Sequence, residues 1–592
     1  MICPEMFRNL LGLLLAVDLL GAATQGPDVV IIGAGIAGLT TALEAARGGA
    51  IVDVIDVASV FGGHAVVSEG GLALAGTPVQ EKLGVKDSPD LAFEDILRWG
   101  GDANTDWARI YADRSRRDVY DWMTDLGVSF DGLLLLPGNS VARFHTNPRR
   151  GYGLVEPIYR ECLRSGRVRF HWNTRIMRLT READRITGVE GANERTGAPF
   201  HLSGPAIVLA TGGFQSNLEM VREHWPPQLP FPGTILIGSG INALGSGLEL
   251  ARRVGAMIDR LDHQWNYPRG IPDPRYPGGN RGLHIINPVA MWVNANGERF
   301  ENENAGTKVL LKQMLNQPGG QVWMVFDAEG RKALSISGTD WADPRRVDAL
   351  VLRNPELVNT ADRLEELAQK SGWPVAKFLE TVARFNRDLH NGTDLSFNWF
   401  DPRNPPTARV GRAAIPPLAI APFYAVRLYA MTRKSLGGVA VDLESRVLNS
   451  QRQPIADLYA VGEVTGFNGL NGKAGLEGTF LGPSILQGRI LGQNLAKRVQ
   501  TRAVSAGPAV KSAPETSASP RVRCQSCHPI DKLVTTARKG YWHFERVHKV
   551  VLENSWACER CHAELSPFAA KQHQTNALTQ IDACSRCHLN GR

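Results

Sequence analysis

The most regular patterning starts at Asp28, where the unbroken apolar run Val29-Val30-Ile31-Ile32 leads into Gly33-Ala-Gly35-Ile-Ala-Gly38. A helical segment follows over 39–48, then a second apolar run, Val52-Asp-Val-Ile, that closes on Asp56. Short apolar runs without polar alternation are the pattern of strands buried on both faces of a parallel sheet. Two more lie far downstream: Ile207 to Ala210, followed by Thr211-Gly212-Gly213, and Leu458 to Val461, followed by Gly462-Glu463. The elements predicted are therefore those of an α/β fold whose central strands come from distant parts of the chain. Before them, Leu10 to Ala23 is apolar, carries Asp18 and ends in small residues, with Arg8 ahead of it. That layout predicts a signal peptide over 1–25; an uncleaved anchor and an ordinary buried helix are the competing readings. Residues 501–520 are rich in Ala, Ser, Pro and Thr without apolar periodicity, which predicts a flexible linker.

With 592 residues, 43% hydrophobic and 21% charged, the composition is globular and supports more than one core, excluding disordered and fibrous classes. The net charge of +7 is uneven, because residues 521–592 hold eleven Lys and Arg against six Asp and Glu. A basic tail alone suggests nucleic acid, but six of the eight cysteines fall in it. They stand as Cys524-Gln-Ser-Cys527-His528, Cys558-Glu-Arg-Cys561-His562 and Cys584-Ser-Arg-Cys587-His588. In C-x-x-C-H two thiols bond the porphyrin and the histidine takes an axial site on iron. Zinc explains paired cysteines less well, since a histidine follows every pair. The other tail histidines are His543, His548 and His573, one per haem, and the tail has no methionine, so bis-histidine ligation is predicted within a small cytochrome domain of little regular structure. Six haem propionates would offset the basic surplus, leaving no case for nucleic acid.

Gly33, Gly35 and Gly38 let backbone approach a pyrophosphate at a helix N-terminus, and Asp56, 18 residues after Gly38, is placed to accept from a ribose hydroxyl. The dispersed glycine turns at Thr211-Gly212-Gly213 and Gly462-Glu463 favour FAD over NAD. Together with Phe61-Gly62-Gly63-His64, Glu69-Gly70-Gly71 and Trp292-Val-Asn294 through Arg299-Phe300-Glu-Asn302-Glu303, they make residues 28–500 resemble the flavoproteins of fumarate reductases, succinate dehydrogenases, flavocytochromes c and 3-ketosteroid dehydrogenases. The resemblance implies a Rossmann-like FAD-binding domain in two segments, 28–230 and 410–500, with an α+β capping domain over 231–409. It also implies hydride transfer between flavin and a carbon next to an activating group. His64 sits at the spacing at which the respiratory members attach FAD covalently. Three readings stay open for it: covalent attachment, a hydrogen bond to the flavin, and a structural histidine.

The substrate residues depart from the fumarate pattern. Tyr267, in Gln264-Trp265-Asn266-Tyr267-Pro268, stands where those enzymes hold a histidine, and Thr307 aligns with their proton-donating arginine. Positive charge remains at Lys308, Arg433, Lys434 and Lys473, but an ammonium does not replace a guanidinium fork in kind. Tyr267 is read as a group that moves a proton, with an aromatic wall of the cleft as the alternative. Glu477 reads equally as a polar contact near the flavin or a helix-entry residue, and Arg143, His145, Thr146 and Tyr152 line the cleft by similarity, with a surface-loop or packing role for each as the competing reading. Haem attachment to thiols takes place outside the bacterial cytoplasm, so the tail and the N-terminal segment agree on export to the periplasm. The function expected is an oxidoreductase passing electrons between three haems c and FAD, acting on an organic substrate other than fumarate, with dehydrogenation the favoured direction. Periplasmic or membrane electron carriers, cytochromes or a quinol dehydrogenase, are the partners expected. The alternatives are a reductase of an unsaturated organic acid and a non-enzymatic electron-transfer module.

Overall fold

A computed structural model describes residues 26–398 and 416–505. The expected signal segment and the cytochrome tail, with all its cysteines and histidines, lie outside the described residues. Chain order gives β1 (Val29–Ile32), α1 (Ile36–Arg47), β2 (Val52–Ile55), β3 (Val168–His171) and β4 (Ile207–Leu209). β5 (Gln264–Pro272) and β6 (Phe423–Ser435) come next, and β7 (Pro454–Ala460) and α2 (Leu481–Ser505) close the described chain.

The four apolar runs meet in one sheet. Of its nine strands, five run in the hydrogen-bonded order β3-β2-β1-β4-β7 with each of these pairs parallel, Ile31 level with Val54 and Val208, and Val208 level with Tyr459. Both faces are covered, as the unalternated sequence requires: Val29 and Ile31 pack with Leu39, Leu43, Ile485 and Leu491, while Val30 and Ile32 pack with Leu209, Leu248 and Leu458. Each such fully buried aliphatic side chain contributes about 1.5–3 kcal/mol. Because the strands are parallel and in register, Gly33, Asp56, Thr211 and Glu463 all emerge at one edge, where α/β folds bind ligands.

α1 and α2 lie side by side on this sheet. A β-carbon at Gly488 would meet Ala37 O at 2.7 Å and one at Gly492 would meet Thr41 O at 2.7 Å, so the glycines permit the close approach. The buried Glu44 clamps the pair, accepting from Trp122 Nε1 (3.0 Å), Arg489 Nη2 (3.2 Å) and Gln493 Nε2 (2.7 Å).

A second sheet is built on β6, which at 13 residues pairs antiparallel with β5, with Val322–Phe326 and with Val358–Ala361. The first half of β6 sits in its own core, where Tyr424, Val426 and Leu428 pack with Trp292 and Phe326. Its last residue reaches the first sheet: Ser435 N donates to Glu463 Oε1 (3.0 Å) and Phe214 N donates to Ser435 Oγ (3.1 Å). β6 thus lies inside the 410–500 segment yet pairs with strands of 231–409, and it carries Arg433 and Lys434 from one unit to the edge of the other.

Candidate active site

A cavity of about 440 Å³ lies between the strand ends of the first sheet and the β5–β6 face of the second. Gly33, Gly35, Asp56, Gly63, His64, Gly70, Gly71, Thr211, Gly212 and Glu463 line it. Gly33 has φ +115°, and a β-carbon there would meet Ala210 O at 2.2 Å; one at Gly38 would strike Gly33 O at 2.0 Å. Gly38 and Gly33 therefore serve the close helix–strand turn. Gly35 serves access, since its β-carbon would meet nothing within 4 Å. It also caps α1 without a side-chain hydrogen bond, leaving first-turn N–H groups for an anion. Asp56 accepts from Ala34 N (2.6 Å) and Ala58 N (2.7 Å), and its burial pushes the pKa up. Gly213 and Gly462 lie behind the lining: a β-carbon at Gly213 would meet Ser435 Oγ at 2.4 Å, and one at Gly462 would meet Ala37 at 2.8 Å. The open glycine, the bare helix start and a buried Thr211 hydroxyl without a partner among the described residues fit a dinucleotide pyrophosphate.

His64 presents its ring to the same cavity. Nδ1 lies 3.4 Å from Ser239 Oγ and 3.8 Å from Glu463 Oε2, while Nε2 is buried with no partner among the described residues. Burial pushes its pKa down to about 4, so the ring is neutral at physiological pH. Glycine is forced in the loop that follows: a β-carbon at Gly71 would enter the Phe144 ring, and one at Gly70 would meet Arg150 C at 2.3 Å.

The facing wall joins both sheets. Trp265 stands opposite Lys434 in the β5–β6 register, and an irregularity before Tyr267 shifts the pairing there. Lys434 Nζ donates to Tyr267 Oη (3.1 Å), Tyr267 donates to Glu477 Oε2 (2.6 Å), and Trp265 Nε1 donates to Glu477 Oε1 (3.3 Å). Burial, aided by Arg433, pulls Lys434 down to about 7 against the pull of Glu477. Burial and the Glu477 charge hold the Tyr267 phenol well above its ordinary value. Arg433 donates to Gly238 O (2.6 Å) and keeps a buried Nε without a partner among the described residues.

Tyr267, Arg433 and Lys434 are therefore brought together on the lining, as is Thr307. Lys308 and Lys473 are not. Lys308 Nζ donates to Trp99 O (2.7 Å) on the outside, and Lys473, 61% exposed, lies 3.9 Å from Asp102. Arg143 and His145 also leave the site: the Arg143 guanidinium is spent on Asp87 (2.7 Å) and Asp95 (2.8 Å), and the His145 ring on Thr77 Oγ1 (2.7 Å) and Arg143 O (2.8 Å). Arg269 and His284 are among the lining residues that escaped the sequence reading. Arg269 follows Tyr267 by two on β5, so strand alternation could have found it. His284 enters through the pairing of its strand with β5, for which no local signal exists.

Residues 28–481 match the family model described as an FAD binding domain. The chain is 30% identical over 555 residues to a KsdD-like steroid dehydrogenase of Mycobacterium tuberculosis, covering 80% of this chain and 96% of the relative. It is 30% identical over 476 residues to a fumarate reductase (cytochrome) of Shewanella frigidimarina, covering 79% and 77%. Among solved structures, the open conformation of a flavocytochrome c3 fumarate reductase matches with TM-score 0.64 and 26% identity, over 84% of this chain and 81% of that one. The chain belongs to this FAD-binding family and is an FAD-dependent oxidoreductase.

Proposed function

We propose that the protein is an exported, periplasmic flavocytochrome that oxidises or reduces a carbon–carbon bond activated by a neighbouring carbonyl, in an organic substrate other than fumarate. The observation that carries this is the cavity wall: a dinucleotide cradle faces Trp265, Tyr267, Lys434 and Glu477, and Thr307, which the sequence resemblance aligns with the proton-donating arginine of the fumarate enzymes, lies on the same lining. The steroid dehydrogenase and fumarate reductase relatives, each 30% identical, support carbon–carbon chemistry. FAD, when bound, supplies two-electron hydride chemistry. Gly33, Gly35, Asp56, Thr211 and Glu463 would hold it, with His64 as a bonding or hydrogen-bonding neighbour. Cys524 and Cys527, Cys558 and Cys561, and Cys584 and Cys587 would hold three haems c, with His528, His562 and His588 as proximal and His543, His548 and His573 as distal ligands. Periplasmic or membrane electron carriers would be the partners.

The cations Arg269, Arg433 and Lys434 on the lining favour a second reading, reduction of an unsaturated organic acid. A screen of 4-androstene-3,17-dione, succinate and fumarate, with oxidised and reduced dyes, separates the two. Turnover of the ketone with an oxidised dye is expected. Fumarate reduction should be slower than in a competent reductase by about 10²-fold to 10⁴-fold, the cost of a missing general acid. Rapid fumarate reduction overturns the alignment of Thr307. Acid precipitation reads the state of His64: a histidyl flavin stays with the protein as a fluorescent band, and free FAD in the supernatant excludes that bond.

A further inference from the structure

We infer that Glu477 is the group that exchanges a proton with the substrate, and that Tyr267 and Trp265 are positioning residues for its two carboxylate oxygens. This rests on the reading of the cavity as a site of carbonyl-activated chemistry. Four carboxylates line the cavity among the described residues: Asp56, Glu69, Glu463 and Glu477. Asp56 is tied to two backbone N–H groups, of Ala34 in the glycine turn after β1 and of Ala58 in its own turn, Glu69 lies 3.6 Å from Arg150, and Glu463 accepts from the backbone of Ser435. Glu477 differs because both of its oxygens face side-chain donors on β5, one each from Trp265 and Tyr267. Such a pair of donors fixes the plane of the carboxylate while leaving lone pairs free on each oxygen.

Tyr267 is a poor candidate for the same task. Its single proton is directed at Glu477 and its oxygen accepts from Lys434, so its donor and one acceptor position are occupied within the protein. Burial opposes the phenolate it would have to become. Lys434 bonds the same phenol oxygen that bonds Glu477, with its ammonium 4.0 Å from the centre of the Phe480 ring. It is placed to balance charge across the phenol.

The step balances without a redox partner. Glu477 takes a proton from a carbon beside the substrate carbonyl, the electrons of that C–H bond become those of an enolate, the carboxyl exchanges the proton with solvent, and it then returns one to the same carbon. Holoprotein reduced with dithionite, which blocks hydride uptake, should therefore exchange deuterium from D2O into 4-androstene-3,17-dione or 4-oxopentanoate, read by mass spectrometry. Glu477→Gln should slow exchange by at least about 10²-fold with the FAD spectrum unchanged, and Glu477→Asp should restore part of it. Tyr267→Phe should retain exchange within about tenfold while shifting its pH profile. Exchange at the wild-type rate in Glu477→Gln, or a Tyr267→Phe variant as inert as Glu477→Gln, overturns the assignment of Glu477 alone. No exchange by the wild type on either ketone overturns the carbonyl-activated reading, and this inference with it.

Discussion

Lys434 and His64 are both buried nitrogens on the cavity wall, and burial drives both toward neutrality with different consequences. For Lys434 the charge is lost near pH 7, so the rate of the wild-type enzyme should bend there. Lys434→Arg, whose guanidinium stays charged, should run flat between about pH 6 and 8; an unchanged bend would assign it to another group. For His64 the effect is on stability. The ring stays neutral in the fold down to about pH 4 but charges near 6.5 in the unfolded chain, so the unfolded state binds the proton first as pH falls. The stabilisation is complete above about pH 6.5 and is lost progressively toward pH 4, by up to about 3 kcal/mol. Thermal unfolding of His64→Asn across that range should show a shallower acid limb than the wild type.

At the scale of elements, what was legible depended on whether the signal was local. β1, α1 and β2 could be read because each apolar run and glycine turn is complete within about 30 residues. The downstream strands β4 and β7 were legible for the same reason. β6 was not: its role as the spine of the second sheet depends on partners some 65 to 195 residues earlier, and nothing in its own sequence marks them. The lining followed the same division. The glycine cradle was visible, whereas the link from Tyr267 to Glu477 spans 210 positions. Lys308 and Lys473 were misplaced because alignment conveys position along the chain and not the direction of a side chain. Two substitutions test the cradle. Gly38→Ala drives a β-carbon to 2.0 Å from Gly33 O and should lose FAD with about 1–3 kcal/mol of stability. Gly35→Ala meets nothing within 4 Å and should weaken FAD binding while leaving the melting temperature of the apoprotein within about 2 °C of the wild type.

At the scale of the whole molecule, Glu44 joins the two segments that make the first sheet, since its partners come from residues as far apart as Trp122 and Gln493. Glu44→Ala removes one of the two carboxylates beside Arg489, which keeps Asp118 at 3.2 Å, and strips Trp122 Nε1 and Gln493 Nε2 of their acceptor, so it should cost about 1–3 kcal/mol in chemical denaturation. In the tail, the haem pattern predicts that denatured protein keeps its haem on a gel. Replacing Cys558 and Cys561 with Ala should remove one third of the haem absorbance, and full retention would refute the assignment.

The path of α2 sets a distance problem for any electron that enters through the tail. Leu481 and Ser484 at its start line the cavity, whereas near its end Gln500 bonds Gly48 O at the far end of α1. Its 25 residues carry the chain about 37 Å away from the cofactor edge. From Ser505 to Cys524 there are 18 intervening residues, which fully stretched reach about 60 Å. On the proposed haem assignment, that length of chain is enough to bring the haem held by Cys524 and Cys527 back to the cavity end of its own molecule. Deleting ten of the residues 506–520 cuts that reach to about 26 Å, shorter than the helix it must retrace. Flavin reduction through the haems should then become dependent on protein concentration, as each tail turns from its own flavin to that of a neighbour.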